Sequence, residues 1–139
     1  MKKFADKFDS YVCVGDMIET EVDGYTVRAH VEHDSYTGID ETDCWNPDQS
    51  VTGCNDEQQA ELLAARKAWR NDEWFFCGIV LSVYRGGVKL LDNANALWGI
   101  ECNYPGSDNS YLATVANELL EEAMDAGRLA RVEMIKAIS

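Results

Sequence analysis

Positive charge is scarce in this chain. Twelve lysines and arginines face 25 aspartates and glutamates, a formal net charge of −13 over 139 residues. Such a field repels a phosphate backbone before contact, which excludes direct nucleic-acid binding. Apolar runs are short as well: none approaches the roughly 20 residues that cross a bilayer. The opening Met1-Lys2-Lys3-Phe4-Ala5-Asp6-Lys7 has no hydrophobic leader core. These two absences predict a cytoplasmic protein with no membrane partner. No glycine-rich phosphate loop, GxSxG elbow or HExxH pair occurs, so the common routes to phosphoryl transfer, acyl transfer and zinc hydrolysis find no foothold. The five cysteines, Cys13, Cys44, Cys54, Cys77 and Cys102, are odd in number and form no CxxC pair. The reading is free thiols in a reducing compartment, with Cys77 and Cys102 serving as core residues inside apolar runs.

What is present suffices for a packed core. Hydrophobic residues make up 46% of the chain, enough apolar surface to offset ordering entropy, and the length fits one domain over residues 1–139. Residues 11–14 and 17–22 look like short strands. Asp23-Gly24 then supplies a two-residue hairpin turn, and Tyr25, Val27, Ala29 and Val31 alternate with polar neighbours as in a half-buried strand. From Asp34 to Asn55 periodicity vanishes, predicting one long loop, and loops of that length usually carry a function. Asn55 with Gln58 forms a capping-box signature for a helix to about Arg70, with Leu62, Ala65 and Trp69 as its buried stripe.

Residues 74–84 read as a central strand covered on both faces. Arg85-Gly86-Gly87 turns the chain into a strand at 88–91, and another follows at 96–102. Beyond cap residues 108–110, Leu112, Val115, Ala116, Leu119 and Ala123 recur at helical spacing, and Leu129, Val132 and Ile135 continue the pattern past Gly127. One kinked helix and two consecutive helices both fit. The expected fold is α+β, an antiparallel sheet of about five strands packed against two or three helices.

Acidic density is the feature most suggestive of function. No Lys or Arg lies between Arg28 and Arg66, whereas Asp40, Glu41, Asp43 and Asp48 fall inside that window around Trp45. On the last helix Glu118, Glu121, Glu122 and Asp125 occupy i, i+3, i+4 and i+7, opposite the apolar face. Four carboxylates over about 10 Å of helix approach the roughly six phosphates found on the same length of duplex. These residues are the candidate partner-binding set, with Trp45 as a possible aromatic anchor; the plainer reading is the solvated face of an acidic protein, with Trp45 packed back on the sheet. Trp69, Trp74, Trp98, Phe75 and Phe76 read mostly as core. His33, Cys44 and Cys54 have zinc-ligand chemistry, but a strand sends His30 and His33 to opposite faces, and unliganded loop residues are the default. No catalytic residue and no cofactor are assigned.

Four blocks, residues 25–34 (YTVRAHVEHD), 69–78 (WRNDEWFFCG), 97–101 (LWGIE) and 111–119 (YLATVANEL), resemble a family of small uncharacterised bacteriophage and prophage proteins. Together they span about a quarter of the chain. Many members of that family carry Pro-Pro-Trp and Gly-His-Gly after the histidine–aspartate pair, where this chain has Gly38-Ile39-Asp40 and Cys44-Trp45, so a function housed in that loop does not transfer. The resemblance implies a phage-borne accessory protein with no assigned activity. By analogy with small acidic phage inhibitors of host nucleic-acid machinery, including CRISPR and restriction complexes, the expectation is a non-catalytic nucleic-acid mimic. It would bind and inhibit a basic host nucleic-acid-processing protein. The alternatives are a zinc-binding protein or metal-dependent enzyme built on the His33/Cys44/Cys54 loop, and a structural or assembly protein.

Overall fold

A computed structural model describes residues 3–35 and 55–139 of the chain. Strand β1 (Met17–Val22) and β2 (Tyr25–His33) form the predicted hairpin, in register from Val22↔Tyr25 to Met17↔His30. Asp23 and Gly24 both take positive φ, 53° and 82°, the mirror-image turn whose twist matches that of its flanking strands. Helix α1 (Asp56–Arg70) starts at the expected capping box: the Asn55 side chain accepts from the Gln58 N–H, and the Gln58 side chain accepts from the Asn55 N–H. Its buried residues are Ala65, Arg66 and Ala68 rather than the predicted stripe of Leu62, Ala65 and Trp69.

Strand β3 (Phe75–Arg85) turns through Gly86 and Gly87 into β4 (Val88–Cys102). The sheet is antiparallel with order β1-β2-β3-β4, and helix α2 (Ser110–Ile138) closes the chain. The described residues therefore hold four strands and two helices. Residues 11–14 form no strand, and the two strands expected after the Gly86-Gly87 turn are one.

A bulge explains that merger. Between Leu81↔Asn95 and Val83↔Leu91, one residue of β3, Ser82, faces three of β4, Asp92 to Ala94. The polar Asp92-Asn93 pair is thus absorbed as an outward kink, tied down by Ser82 Oγ donating to the Asp92 carbonyl at 2.9 Å. A second slip between Cys77 and Ile79 takes up Gly99, whose φ of 74° suits glycine at a bulge.

One face of the sheet carries the core. Ile18, Val22, Val27, Ala29, Val31, Ile79, Leu81 and Val83 point inward and meet Leu112, Ala116, Leu120, Ala123 and Met124 of α2. Gly127 does not end this helix, which continues through it to Ile138. A Cβ there would sit 2.6 Å from Val83 Cγ1, so glycine is what allows helix and strand to approach.

Cys77 and Cys102 are disulfide-bonded, which corrects the free-thiol reading. Both lie on the inward face, one diagonal step apart in a ladder that pairs Phe75 with Cys102 and Cys77 with Ile100. Their Cα atoms are 6.2 Å apart, within disulfide reach. The inference of a reducing compartment rested on unpaired thiols and loses that support. Cys13 is an exposed free thiol.

The N-terminal segment is fastened by asparagines. Asn103 exchanges two hydrogen bonds with the Val12 backbone and accepts from Asn109 Nδ2, which also donates to the Ser10 carbonyl. Asn117 Oδ1 accepts from the Phe4 N–H. Phe4 and Val12 are thereby brought into the core.

Candidate interaction surface

Glu118, Glu121, Glu122 and Asp125 are all exposed on the solvent side of α2, opposite the residues that grip the sheet. The helical period placed them there, and the packing of Ala116, Leu120 and Ala123 fixes the direction in which they project. Their surroundings differ. Arg128 Nη1 lies 3.6 Å from Asp125 Oδ1, while Nη2 of the same guanidinium lies 2.9 Å from Asp23 Oδ2. One cation thus serves two carboxylates, and the pair keeps net negative charge. Glu122 accepts from Asn95 Nδ2 at 3.4 Å. Glu118 and Glu121 make no ion pair among the described residues.

The other predicted partner-binding residues, Asp40, Glu41, Asp43, Trp45 and Asp48, lie outside the described residues, as do Cys44 and Cys54. His33 is exposed and stacks on Phe75 at 5.9 Å. His30 belongs to the opposite face of the sheet and bonds Glu32 at 3.0 Å. The two histidines therefore do not converge, and no group of three metal-ligating side chains occurs among the described residues. Asp34 is buried and accepts the Gly99 N–H at 2.9 Å, so one of its carboxylate oxygens secures a bulge.

The outer face of the sheet holds a feature that sequence reading missed. Arg28 and Lys89 both lie over the Tyr84 ring, 4.4 and 5.6 Å from its centroid. Each is also bound to a carboxylate, Arg28 to Glu19 at 2.7 Å and Lys89 to Asp92 at 2.6 Å, contacts that hold both cations above their ordinary pKa. Cross-strand register brings Arg28 opposite Glu19 and Tyr84 opposite Lys89; pairing β2 with β3 was the signal needed to find them. Toward the other end of the same face, Trp98 is half exposed, and its ring covers Gly78, where a Cβ would fall 2.3 Å from Trp98 Cε3. The expectation of a core tryptophan is corrected: the ring lies flat on the outer face because its neighbour strand offers a glycine as a seat.

Beside α1 an open groove of about 1120 Å³ is lined by Glu61, Leu62, Ala65, Ala68, Tyr104 and Pro105. Its floor is fixed by Trp74, which is buried, donates to the Ala65 carbonyl at 2.8 Å and meets Phe76 and Tyr104 edge-on. Burial raises the pKa of Glu101, and it raises Tyr104 with help from Glu101 and Glu61. Tyr111 is pushed up to about 12 by burial and then by Glu101, and its hydroxyl has no hydrogen-bond partner among the described residues. Asp108 is held below the usual carboxylate range by the Ser110 N–H and then its hydroxyl, a local contact at the start of α2.

No helix among the described residues is long and apolar enough to cross a membrane. Comparison with protein-family models, with curated proteins and with solved structures finds no match to this chain.

Proposed function

We propose that this chain works by binding rather than catalysis, presenting the carboxylates of α2 to a positively charged groove on a partner. The chemistry suits a nucleic-acid-processing protein of a host cell, inhibited by an acidic mimic of its substrate. The observation that carries the reading is the joint exposure of Glu118, Glu121, Glu122 and Asp125 on a helix whose other side is locked to the sheet. Because the backbone is already ordered, binding costs little conformational entropy beyond the side chains. Charge neutralisation and counterion release would supply affinity, as they do for phosphates. The net charge of −13 adds long-range attraction to a basic partner.

The test is affinity capture from a bacterial lysate across a salt series. The native chain should retain a basic nucleic-acid-binding protein that elutes as ionic strength rises. Converting Glu118, Glu121 and Glu122 to lysine should abolish that capture while shifting stability by no more than about 0.5 kcal/mol, since all three are surface sites. Undiminished capture by the triple variant removes the site.

A further inference from the structure

α2 outruns the sheet. Gly127 lies against Val83 and Arg128 reaches the Asp23 turn, and no residue of the helix beyond Gly127 is buried. Ten further helical residues, about 15 Å at 1.5 Å per residue, continue to Ile138. Leu129, Val132, Ile135 and Ile138 are left 62, 49, 48 and 81% exposed.

The solvent side of α2 has an ordered pattern that this overhang completes. Glu118, Glu122, Asp125, Leu129, Val132, Lys136 and Ser139 follow one another at alternating spacings of four and three, the spacing of a two-stranded coiled-coil seam, with Leu129 and Val132 as its apolar centre. Along that seam the character changes from acidic through apolar to basic. Residues 128–139 hold three cations, Arg128, Arg131 and Lys136, against Glu133, a net +2; with −13 for the whole chain, residues 1–127 carry −15.

We infer that α2 pairs with α2 of a second copy of this chain, antiparallel, about a two-fold axis between Leu129 and Val132. In that register Leu129 of each copy faces Val132 of the other, and Lys136 faces Asp125. A parallel pair would stack Lys136 on Lys136 and Asp125 on Asp125, so charge selects the antiparallel arrangement. The inference does not rest on the host partner proposed above; pairing covers Glu122 and Asp125, so a second copy and such a partner would compete for this part of α2. Residues 122–139 form the pairing segment, and the two copies of Glu118 lie beyond its ends, about 40 Å apart at the helical rise.

Sedimentation velocity decides it, using the full chain with Cys13→Ser so that the exposed thiol cannot cross-link copies. Over about 5 to 500 µM, the concentration range of weak pairs, the average mass should climb toward twice that of the monomer. Leu129→Glu with Val132→Glu should return it to monomer throughout, with helix content by circular dichroism unchanged. Lys136→Glu should weaken pairing roughly three- to tenfold, as two surface ion pairs are reversed, and adding Asp125→Lys should restore it. A chain that stays monomeric to the top of the range overturns the pairing. A dimer indifferent to the Leu129/Val132 change overturns the surface, and one that the Asp125→Lys swap does not rescue overturns the register.

Discussion

Residues 110–127 and 128–138 form one unbroken helix with similar alternation of apolar and charged side chains, but only the first stretch has a sheet beneath it. In that stretch Leu112, Ala116, Leu120, Ala123 and Met124 are buried against β3 and β4. In the second, side chains of the same kind reach water. The difference teaches that periodicity reports which residues share a helix face. Whether that face is covered depends on where the neighbouring element stops.

Substitution along α2 sharpens the contrast. Leu120→Ala should cost about 3 kcal/mol, within the range for a buried leucine that leaves a cavity, whereas Ile135→Ala on the overhang should change monomer stability by less than about 0.5 kcal/mol. Urea denaturation of both variants at low protein concentration measures the gap, and equal losses would erase the distinction. At the boundary, Gly127→Ala should destabilise by about 1 kcal/mol even though alanine is the better helix former. Val83 is β-branched and packed in the core, so it has little room to move from a new Cβ. A stabilising Gly127→Ala would place the end of the sheet contact earlier in the helix.

In the first turn a small effect of the opposite sign is expected. Tyr111→Phe removes a hydroxyl with no partner among the described residues, and stability near neutrality should hold or rise by up to about 1 kcal/mol. Its pH dependence has a definite sign. Because the folded protein keeps this phenol neutral up to about 12, the native stability tied to it is complete below the unfolded value near 10 and is lost as pH climbs between the two. Tyr111→Phe should flatten that part of the alkaline stability curve, and tyrosinate absorbance should lose its latest-titrating component.

Reducing the Cys77–Cys102 bond tests the sheet rather than the helix. A loop of 25 residues gives about 3.5 kcal/mol from chain entropy, so Cys102→Ser should lower the denaturation midpoint by a corresponding amount.

These elements also show what a sequence makes legible. The Asp23-Gly24 hairpin, the Asn55/Gln58 box and the buried run of β3 depend on residues a few positions apart, and each forms as expected. The single β4 depends on the bulge at Asp92-Asn93, whose local signal looks like a break because the strand that spans it lies elsewhere in the chain. The disulfide and the Arg28–Tyr84–Lys89 stack require β-strand register, and the exposed end of α2 requires the length of the sheet. For the candidate site, helical spacing located the four carboxylates, but not the Arg128 that reaches Asp125 and Asp23 together.

The asparagine fastening of the N-terminal segment orders events on the ribosome. Residues 4–12 leave the ribosome before their anchors Asn103, Asn109 and Asn117, which lie between 91 and 113 positions later. During synthesis that segment therefore lacks its full set of docking asparagines until the start of α2 has been made.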